Sequence, residues 1–308
     1  MIYTVTCNPS LDYRMELGQL KPGETNRADA VGLLAGGKGL NVSVVLHHLG
    51  METTALGFVA GFVGDEIELC MEKSGCHCRF IHLEDGCSRI NVKLRGTDKT
   101  TELNAPGPDI SAAAQDELLR QLTEMVPGDV LILAGSVPPS MPKTVYANWM
   151  ERLRDAGLDI IVDATGDTLL QALPHRPFLV KPNHHELGDL FGVKIESRED
   201  AAAYGKKLLE QGARNVLVSM SSQGAVLCTE DGQVLVQDAA SGTVVNDVGA
   251  GDSMIAGFMT GWMQTHDYSK ALHLGAAAGA ASAFSENLAT MEEIQAVQKI
   301  LPLPQKMQ

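Results

Sequence analysis

The sequence of 308 residues predicts an α/β fold with a mostly parallel central sheet. Two observations predict it: short apolar, β-branched runs recur along the chain, and stretches with helical periodicity separate them. Strands that are apolar throughout are typical of a parallel sheet with helices on both faces, because neither face of such a strand meets water. The predicted strands are 2–7, 53–59, 129–135, 158–164, 178–182 and 215–220.

Two of the intervening segments also indicate where their helices begin or end. Between residues 42 and 49, apolar residues recur with the i, i+3, i+4, i+7 spacing of one helix face, and Gly50 predicts the helix end. Segment 197–212 opens on Ser197, a residue suited to cap a helix start, and closes on Gly212. Helices of this kind would connect neighbouring parallel strands across a face of the sheet.

Residues 12–34 and about 80–104 depart from this alternation. Both stretches alternate polar and apolar residues without a helical period, which is typical of antiparallel strands with one exposed face. The second contains "RGTDKT" (95–100), which predicts a hairpin turn. The two stretches could be edge hairpins of the main sheet, but we expect a small separate sheet that acts as a lid, because both flank residues of catalytic type. The whole chain, 1–308, is then a single domain that carries this lid.

Composition and charge exclude several classes of function. The chain has a formal net charge of −14 and a pI near 5.0, whereas a nucleic-acid surface needs an excess of Lys and Arg. No run approaches the about 18 apolar residues that a membrane span requires, and the N-terminal segment lacks the pattern of a signal peptide. We therefore expect a cytoplasmic protein without nucleic-acid or membrane partners.

Six cysteines in a chain without an export signal indicate reduced thiols. Four of them, together with two histidines, lie between Cys70 and Cys87. Adjacent residues of "CHC" (76–78) point to opposite faces of a strand and no C-x-x-C pair occurs, so the spacing disfavours a zinc site.

Polar loops follow the carboxyl ends of five predicted strands. Ligands of open α/β sheets bind at this edge, so five polar loops on one edge predict a binding site there. The loops are "NPSLD" (8–12), "GSVPPS" (135–140), "DATGD" (163–167), "KPNHHE" (181–186) and "SMSSQG" (219–224).

The glycine-rich stretch "GLLAGGKGLNVS" (32–43) has the G-x-x-x-x-G-K spacing of a P-loop. A P-loop needs Ser or Thr at the next position to hold magnesium, and the residue here is Gly39. We therefore interpret Gly37 as part of a turn whose amides approach a ligand, Lys38 as a phosphate contact, and Asn41 as a polar group on the first helical turn. A glycine loop that only begins a core helix would show the same pattern.

The stretch "SRINVKL" (88–94) predicts a strand with a polar face. Arg89, Asn91 and Lys93 alternate and therefore share that face. Two cations and an amide on one face suit a phosphorylated sugar. A solvated outer face would have the same spacing, so both interpretations remain open.

The motif "KPNHHE" places Asn183 and Glu186 at a strand end and on the following turn. The two side chains could organise a hydrated Mg²⁺ ion beside phosphates, because Mg²⁺ keeps most of its waters and takes few protein ligands. The same two residues could instead cap a helix start. We expect His184 and His185 to be incidental, since adjacent histidines do not easily share one metal.

In "VVNDVGAGDSMIAGF" (244–258), residues 249–251 precede Asp252 at a predicted helix start. Backbone N–H groups turned toward one point, together with the helix dipole, would stabilise charge on a transferred phosphoryl group. Asp252 could then take the proton from the attacking hydroxyl. A simple helix cap is the alternative, but capping does not require the glycines, so we favour catalysis.

Together these motifs resemble the ribokinase-like sugar kinase family. The segments "NPSLD", "GGKGLN", "GSVP", "KPNHHE", "VSMSSQGA" and "VGAGDS" occur in the family's order and span nearly the whole chain. Within the family, "SRINVKL" followed by "TTELNAPGP" is most similar to the bacterial 1-phosphofructokinases, with the tagatose-6-phosphate kinases next. The resemblance implies a ribokinase-like αβα sandwich with a small β-sheet lid, and ATP-dependent phosphorylation of a sugar phosphate.

The resemblance also implies roles for single residues. Asp252 matches the general base, and Gly249, Ala250 and Gly251 match its anion hole. Asn183 and Glu186 match the motif that positions Mg²⁺ through water. The residues expected to bind the sugar phosphate are Asp12, Gly37, Lys38, Asn41, Arg89, Lys93 and Ser136. Those expected to bind ATP are Lys181, Asn183, Ser219, Ser221, Gly224 and Asn287.

The expected reaction is phosphorylation of fructose 1-phosphate at its 6-hydroxyl, which gives fructose 1,6-bisphosphate. Tagatose 6-phosphate and fructose 6-phosphate are alternative substrates, and a non-catalytic sugar-phosphate sensor is the alternative of another class, although an intact base and anion hole argue against it. Members of the family form dimers through the lid, so a homodimer is expected by resemblance. One residue departs from the family pattern: Asp247 stands five residues before the base, where Thr or Ser is common.

Overall fold

A computed structural model describes residues 1–97 and 100–307 of the chain. The strands in these residues form two sheets, one of ten strands and one of four. They are β1 (Ile2–Thr6), β2 (Ser10–Glu16), β3 (Ala30–Gly36), β4 (Thr53–Ala60), β5 (His77–Leu83), β6 (Arg89–Arg95), β7 (Thr100–Asn104), β8 (Val130–Ala134), β9 (Asp159–Asp163), β10 (Leu179–Val180), β11 (Val216–Ser219), β12 (Ala225–Cys228), β13 (Val234–Gln237) and β14 (Gln305–Lys306).

The helices alternate with the strands over most of the chain. Ser197 and Asp200 cap the start of α7 reciprocally, Gly212 follows the C-cap of α7, and Gly50 follows α1 with a φ of +75°, so the three predicted boundary residues are confirmed. The helices are α1 (Lys38–His48), α2 (Gly61–Lys73), α3 (Ala112–Thr123), α4 (Val145–Leu153), α5 (Gly166–Ala172), α6 (His184–Phe191), α7 (Arg198–Glu210), α8 (Ala250–Thr265), α9 (Tyr268–Phe284) and α10 (Met291–Ile300), with 3₁₀ turns at Leu173–His175 and Ser221–Gln223.

The large sheet has the order β14-β13-β12-β11-β10-β9-β8-β1-β4-β5. From β5 to β11 all neighbours are parallel, and β12, β13 and β14 continue the sheet antiparallel. Each of the six predicted strands lies in the parallel part. The prediction of a mostly parallel central sheet is therefore confirmed.

Helices cover both faces of the large sheet. Along β8, Leu131 and Leu133 pack into one hydrophobic cluster, which includes Trp149 of α4. Ile132 points to the opposite face, into a second cluster that includes Ile255 of α8. Because successive strand residues point to opposite faces, an apolar strand of this kind requires a helical layer on each side.

The small sheet has the order β3-β2-β6-β7. It draws β2 and β3 from the first polar-apolar stretch, and β6 and β7 from the second, so the two stretches do form a separate sheet. Residues 80–83, which we expected in it, belong to β5 of the large sheet. β5 is the edge strand there and has one partly exposed face, which explains its alternating pattern. The predicted turn 95–100 includes Asp98 and Lys99, which lie outside the described residues.

In the part of the chain that the structure describes, every helix is too short or too polar to cross a membrane.

Candidate active site

A cavity of about 1250 Å³ lies at the carboxyl edge of the parallel strands, bordered by the small sheet. Each of the five polar loops contributes to its lining, as the sequence predicted. One residue from each loop is Asp12, Ser136, Asp163, Lys181 and Ser219. The crossover rules of a parallel sheet bring these loops together, since all the strands end at the same edge.

On the small sheet, Asp12 is the centre of a polar cluster that faces the cavity. Its carboxylate accepts hydrogen bonds from the Ser10 hydroxyl at 2.8 Å and from the Asn91 amide at 3.3 Å. Lys93 Nζ lies 2.7 Å from the second carboxylate oxygen. A β-carbon on Gly36 of β3 would overlap this carboxylate, so the glycine leaves the space that the Asp12 side chain occupies. The cluster holds a carboxylate and an ammonium at fixed positions for a polyhydroxy ligand.

Arg89 lies beside this cluster and also lines the cavity. Its Nε donates to the backbone carbonyl of Asn8 at 3.1 Å, which connects the small sheet to the loop after β1. Burial lowers the pKa of the Arg89 guanidinium, and the neighbouring Asp12 opposes that shift. With one nitrogen engaged, the guanidinium keeps donors for a ligand. Arg89 and Lys93 therefore give this wall of the cavity two cations.

The N-terminus of α8 forms another wall. Gly249 is the residue before the helix and has a φ of +83°, a conformation that L side chains rarely adopt. Of the three predicted amides, that of Ala250 donates to the Asp247 carbonyl at 3.3 Å in a turn. The first-turn amides of a helix otherwise lack intrahelical partners, so this end favours an anion.

Asp252 lies in the first turn of α8 and is 6% exposed. The Asn41 side-chain amide donates to its Oδ2 at 2.7 Å. Burial, followed by the charge of Asp163, raises the pKa of Asp252 to about 6, while Lys38, Asn41 and Lys181 oppose the rise. A carboxylate with a pKa close to neutral is suited to accept a proton.

Two lysines meet the buried carboxylate of Asp163. Lys38 Nζ lies 3.1 Å from its Oδ2, and Lys181 Nζ lies 3.7 Å from its Oδ1. Burial alone would raise the pKa of Asp163, but the two ammonium groups lower it below its usual value. Burial alone would lower the pKa of Lys38, but Asp163, Asp252 and Glu186 raise it.

Asp163 was not among the predicted site residues. The available signal was its place at the end of the apolar run "LDIIVDA" and at the start of the polar loop "DATGD". That signal indicates the cavity edge but does not reveal which cations the carboxylate meets, because both come from distant parts of the chain.

The far end of the cavity is less polar. Ser219, Ser221 and Gly224, which we expect at the nucleotide from the sequence, also line the cavity. The apolar lining residues there come from the loop before α8 and from α8 and α9. They are Ala239, Ala240, Val244, Met254, Ala276, Ala280, Ala283 and Phe284. Small side chains on α9 leave room for a flat group such as a nucleobase.

Asn183 and Glu186 form a capping box at the start of α6. The Asn183 side-chain oxygen accepts from the backbone N–H of Glu186 at 2.9 Å, and the Glu186 carboxylate accepts from the backbone N–H of Asn183 at 2.8 Å. The two residues therefore cap the start of α6, which is one of the two roles that the sequence left open. Both residues also line the cavity, and Glu186 keeps a second carboxylate oxygen for a further ligand. Among residues 1–97 and 100–307, no group of three or more His, Cys, Asp or Glu side chains is arranged to hold a metal ion.

Asn287 is the predicted residue that does not line the large cavity. It lines a second cavity of about 340 Å³, and its side-chain oxygen accepts from Arg14 at 3.4 Å. The chain turns back toward β2 after α9, which carries Asn287 away from the apolar end of the large cavity. We therefore omit it from the nucleotide site. Asp247, the residue that departs from the family pattern, is exposed on the lining of the large cavity.

The remaining predicted residues all line the one large cavity. These are Asp12, Gly37, Lys38, Asn41, Arg89, Lys93, Ser136, Lys181, Asn183, Glu186, Ser219, Ser221, Gly224, Gly249, Ala250, Gly251 and Asp252. The cavity thus combines a cationic, sugar-side wall, a helix N-terminus with a carboxylate, and an apolar end.

Comparison with known proteins identifies the kind of enzyme. The sequence pattern of the pfkB family carbohydrate kinases matches residues 7–295. The chain belongs to this family. It is a carbohydrate kinase, an enzyme that transfers a phosphoryl group to an alcohol, which confirms the predicted enzyme class.

Two relatives of this carbohydrate kinase match along nearly the whole chain. The 1-phosphofructokinase of Bacillus subtilis is 43% identical over 96% of this chain and 96% of its own. The D-tagatose-1-phosphate kinase of Bacillus licheniformis is 36% identical, again over 96% of each chain.

Solved structures also match the fold along nearly the whole chain of this kinase. Phosphofructokinase-2 from Escherichia coli, in complex with substrates and products, superimposes with a TM-score of 0.92 at 26% identity and covers 97% of this chain and 99% of its own. Arabidopsis thaliana ribokinase superimposes with a TM-score of 0.78 at 21% identity, covering 97% and 98%. The predicted ribokinase-like αβα sandwich is therefore confirmed.

Proposed function

We propose that this kinase transfers the γ-phosphoryl group of ATP to the 6-hydroxyl of fructose 1-phosphate and so produces fructose 1,6-bisphosphate. The observation that carries the proposal is the position of Asp252. It is a buried carboxylate with a pKa of about 6 in the first turn of α8, on the same cavity as the two cations Arg89 and Lys93. The similarity to a 1-phosphofructokinase at 43% identity supports the choice of substrate.

The sugar-side wall suits a phosphorylated ketohexose. Asp12 would accept hydrogen bonds from sugar hydroxyls, with its orientation held by Ser10 and Lys93. Arg89 and Lys93 would bind the phosphate already on the sugar, since a guanidinium offers paired donors to phosphate oxygens. Gly37, Lys38, Asn41 and Ser136 would complete the sugar site, and the 6-hydroxyl would then point toward Asp252.

Phosphoryl transfer itself needs a proton acceptor and a site for the developing negative charge. Asp252 would take the proton of the 6-hydroxyl as that oxygen attacks the γ-phosphorus. The amides at residues 249–251 would donate to the phosphoryl oxygens, and the Lys181 ammonium lies close enough to Gly251 to add to that charge stabilisation. The Ala250 amide would have to exchange its weak turn bond to Asp247 for the ligand.

The apolar end of the cavity would hold the adenine of ATP between α8 and α9, with Ser219, Ser221 and Gly224 near the phosphates. The donor set fits a Mg²⁺ ion that is bound mainly by nucleotide oxygens and water, because Glu186 offers one carboxylate oxygen and Asn183 its amide carbonyl. When bound, Mg²⁺ would neutralise part of the negative charge on the phosphates. The capping box fixes the orientation of both side chains at the cavity wall.

The small sheet would act as the lid of a single domain and exclude water from the reacting groups. Its strands carry the sugar ligands on the cavity side, so closure would bring substrate and base together. The opposite face carries the exposed apolar residues Val31, Leu33, Ile90 and Leu103. These would suit a homodimer formed through the lid.

D-Tagatose 1-phosphate is the second candidate substrate. The similarity to a D-tagatose-1-phosphate kinase over 96% of the chain favours it. Fructose and tagatose differ only in the configuration at one carbon, so the same phosphate contacts would serve both. Fructose 6-phosphate and tagatose 6-phosphate carry the phosphate at the opposite end of the sugar and would have to bind in another orientation. Membership of a kinase family argues against the alternative of a non-catalytic sensor.

A coupled assay of ADP release over these four sugar phosphates tests the proposal. We expect the largest kcat/KM with fructose 1-phosphate. A clear preference for either 6-phosphate, or the absence of ADP release, would contradict the proposed reaction.

Asp252→Asn tests the base in the same assay. We expect kcat to fall by at least about a hundredfold, the contribution of a positioned general base, while binding of the sugar phosphate persists. Asp267→Asn is the matched control, because Asp267 is exposed and caps α9 through the amides of Ser269 and Lys270. If both variants lost activity equally, Asp252 would be only a helix cap.

A further inference from the structure

Asp163 is the most enclosed carboxylate of the cavity, with 1% of its surface exposed. It ends β9, and it meets two ammonium groups from other elements: Lys38 at the start of α1 and Lys181 directly after β10. A buried ion of this kind is costly to desolvate and persists only when paired. Because a buried ion pair is weak evidence for a stabilising role, stability alone does not explain why Asp163 is buried between two lysines.

The two lysines belong to different parts of the cavity wall. Lys38 belongs to the glycine turn of the sugar side, where its β-carbon lies near Gly135. Lys181 lies beneath the start of α8, since a β-carbon on Gly251 would come within 3.0 Å of its Nζ. One carboxylate thus fixes a cation of the sugar side relative to a cation of the nucleotide side.

The charged groups that act on Asp252 come from three elements. Lys38 and Lys181 favour its ionised form, and Asp163 favours its protonated form. The Glu186 carboxylate of α6 acts on Lys38. Further charged residues of the same cavity lie on the small sheet and on the loops at its mouth. They are Asp12, Arg89, Lys93, Glu102, Lys143, Asp167, Asp238 and Asp247. Helix α9 presents only small or apolar residues to it, namely Ala276, Gly279, Ala280, Ala283 and Phe284.

We propose that Asp163 is a positioning residue that holds the ammonium groups of Lys38 and Lys181 near Asp252 and offsets the positive field that they impose on this carboxylate. The inference rests on the proposed role of Asp252 as the base. Without Asp163, the buried ammonium of Lys181 and the partly exposed ammonium of Lys38 would repel each other and would leave their positions. Their uncompensated charge would also make the carboxylate a weaker base.

The sign of the pH effect follows from these charges. A base is active when it is deprotonated, so the rate falls on the acid side as Asp252 takes up a proton near pH 6. Removing the negative charge of Asp163 leaves the two cations in excess and lowers the pKa of Asp252. The acid limb of the rate profile therefore moves to lower pH, while the maximal rate falls because the lysines are displaced.

The test is the profile of kcat/KM for fructose 1-phosphate from about pH 5 to about pH 9. In Asp163→Asn we expect the acid limb to move down by about one pH unit, with kcat reduced about tenfold or more, as for other small displacements of catalytic groups. Ionisation of the substrate phosphate is the same for every variant, so the difference between variants reports the enzyme. An unmoved acid limb would overturn the proposal, whatever happens to kcat.

Asp129→Asn is the matched control. Asp129 is also a buried carboxylate, 6% exposed, and lies next to β8 at the opposite edge of the same sheet. It pairs with the N-terminal ammonium at 3.0 Å, away from the cavity. Its loss should reduce stability without moving the acid limb. A shift of the same size in both variants would mean that the effect is structural, and the proposal would be wrong.

A second pair of variants serves if Asp163→Asn does not fold. Lys181→Gln removes a cation that favours ionised Asp252, so its acid limb should move to higher pH. Adding Asp163→Asn to Lys181→Gln restores the balance of buried charge and should move the limb back down. Equal acid limbs in the single and double variants would overturn the proposal.

The failure of this proposal differs from the failure of the proposed function. If Asp252→Asn kept its turnover, the base assignment would be wrong and no acid limb would report on Asp252. If Asp252→Asn were inactive while Asp163→Asn retained the wild-type acid limb, the function would stand and only the role of Asp163 would be refuted.

Discussion

The two sheets of this kinase have different roles. The central strands of the large sheet are buried on both faces, and all five residues of β8 are buried. One face of the small sheet lines the cavity, and on its other face Leu11 packs against α2 while Val31 is 61% and Leu103 57% exposed. The large sheet therefore carries most of the hydrophobic stabilisation, whereas the small sheet carries the proposed sugar contacts.

The same contrast divides the proposed site into a part anchored at the large sheet and a part carried by the small sheet. The proposed base and the lysines are anchored at the rigid edge of the large sheet, next to tightly packed helices. The proposed sugar ligands are on strands that have fewer packed neighbours and could move as a lid. Substitutions in the two sheets should accordingly separate stability from substrate binding.

Leu131→Ala should have the largest effect. Leu131 is fully buried at 0% exposure in the middle of β8, and a leucine removed from a core of this kind costs about 2–5 kcal/mol in the free energy of unfolding. Urea unfolding, followed by circular dichroism, measures the loss. A change below about 1 kcal/mol would mean that the core closes around the deletion far better than such cores do.

Gly36→Ala should have a smaller effect, and on binding rather than on folding. The added β-carbon would overlap the Asp12 carboxylate, which must then turn away from the sugar. We expect KM for the sugar phosphate to rise about tenfold, equivalent to about 1.4 kcal/mol, in steady-state assays with unchanged KM for ATP.

Gly32→Ala is the control for this variant. Gly32 lies in the same strand, and a β-carbon there would meet nothing within 4 Å. Its kinetics should match the wild type. Equal KM values for the two variants would show that the backbone of β3, and not the crowding of Asp12, determines sugar binding.

Leu103→Ala should have the smallest effect. The chemical change is the same as in Leu131→Ala, but the side chain is 57% exposed, and exposed substitutions usually change stability by less than about 0.5 kcal/mol. Urea unfolding at low protein concentration tests this. A loss as large as that of Leu131→Ala would mean that the outer face is buried in solution, as in a dimer formed through the lid.

The parallel sheet was predictable because its strands are apolar throughout, a pattern that only a strand covered on both faces requires. The start of α7 was predictable for a similarly local reason, since Ser197 caps amides within its own segment. The place of β5 was harder to predict. Its alternating pattern reflects its position at the sheet edge, and that position depends on the order of the strands in the sheet. Segment 80–83 was therefore assigned to the wrong sheet.

The site was predictable where one short segment contains its chemistry, as in the "GAGD" turn. The roles of Asn183 and Glu186 stayed open, because a capping box and a metal contact use the same spacing. Asp163 was missed because its partners, Lys38 and Lys181, come from distant segments, and Asn287 was placed with the nucleotide although the chain carries it toward Arg14.

By itself, the sequence determined the fold class, the family and the edge of the sheet where the loops meet, because periodicity and short motifs are local properties of a chain. Only the tertiary structure decided which charges share a buried space. Lys38, Asp163, Lys181 and Asp252 are more than two hundred residues apart from first to last, and their electrostatic coupling depends on distance and burial rather than on spacing along the chain.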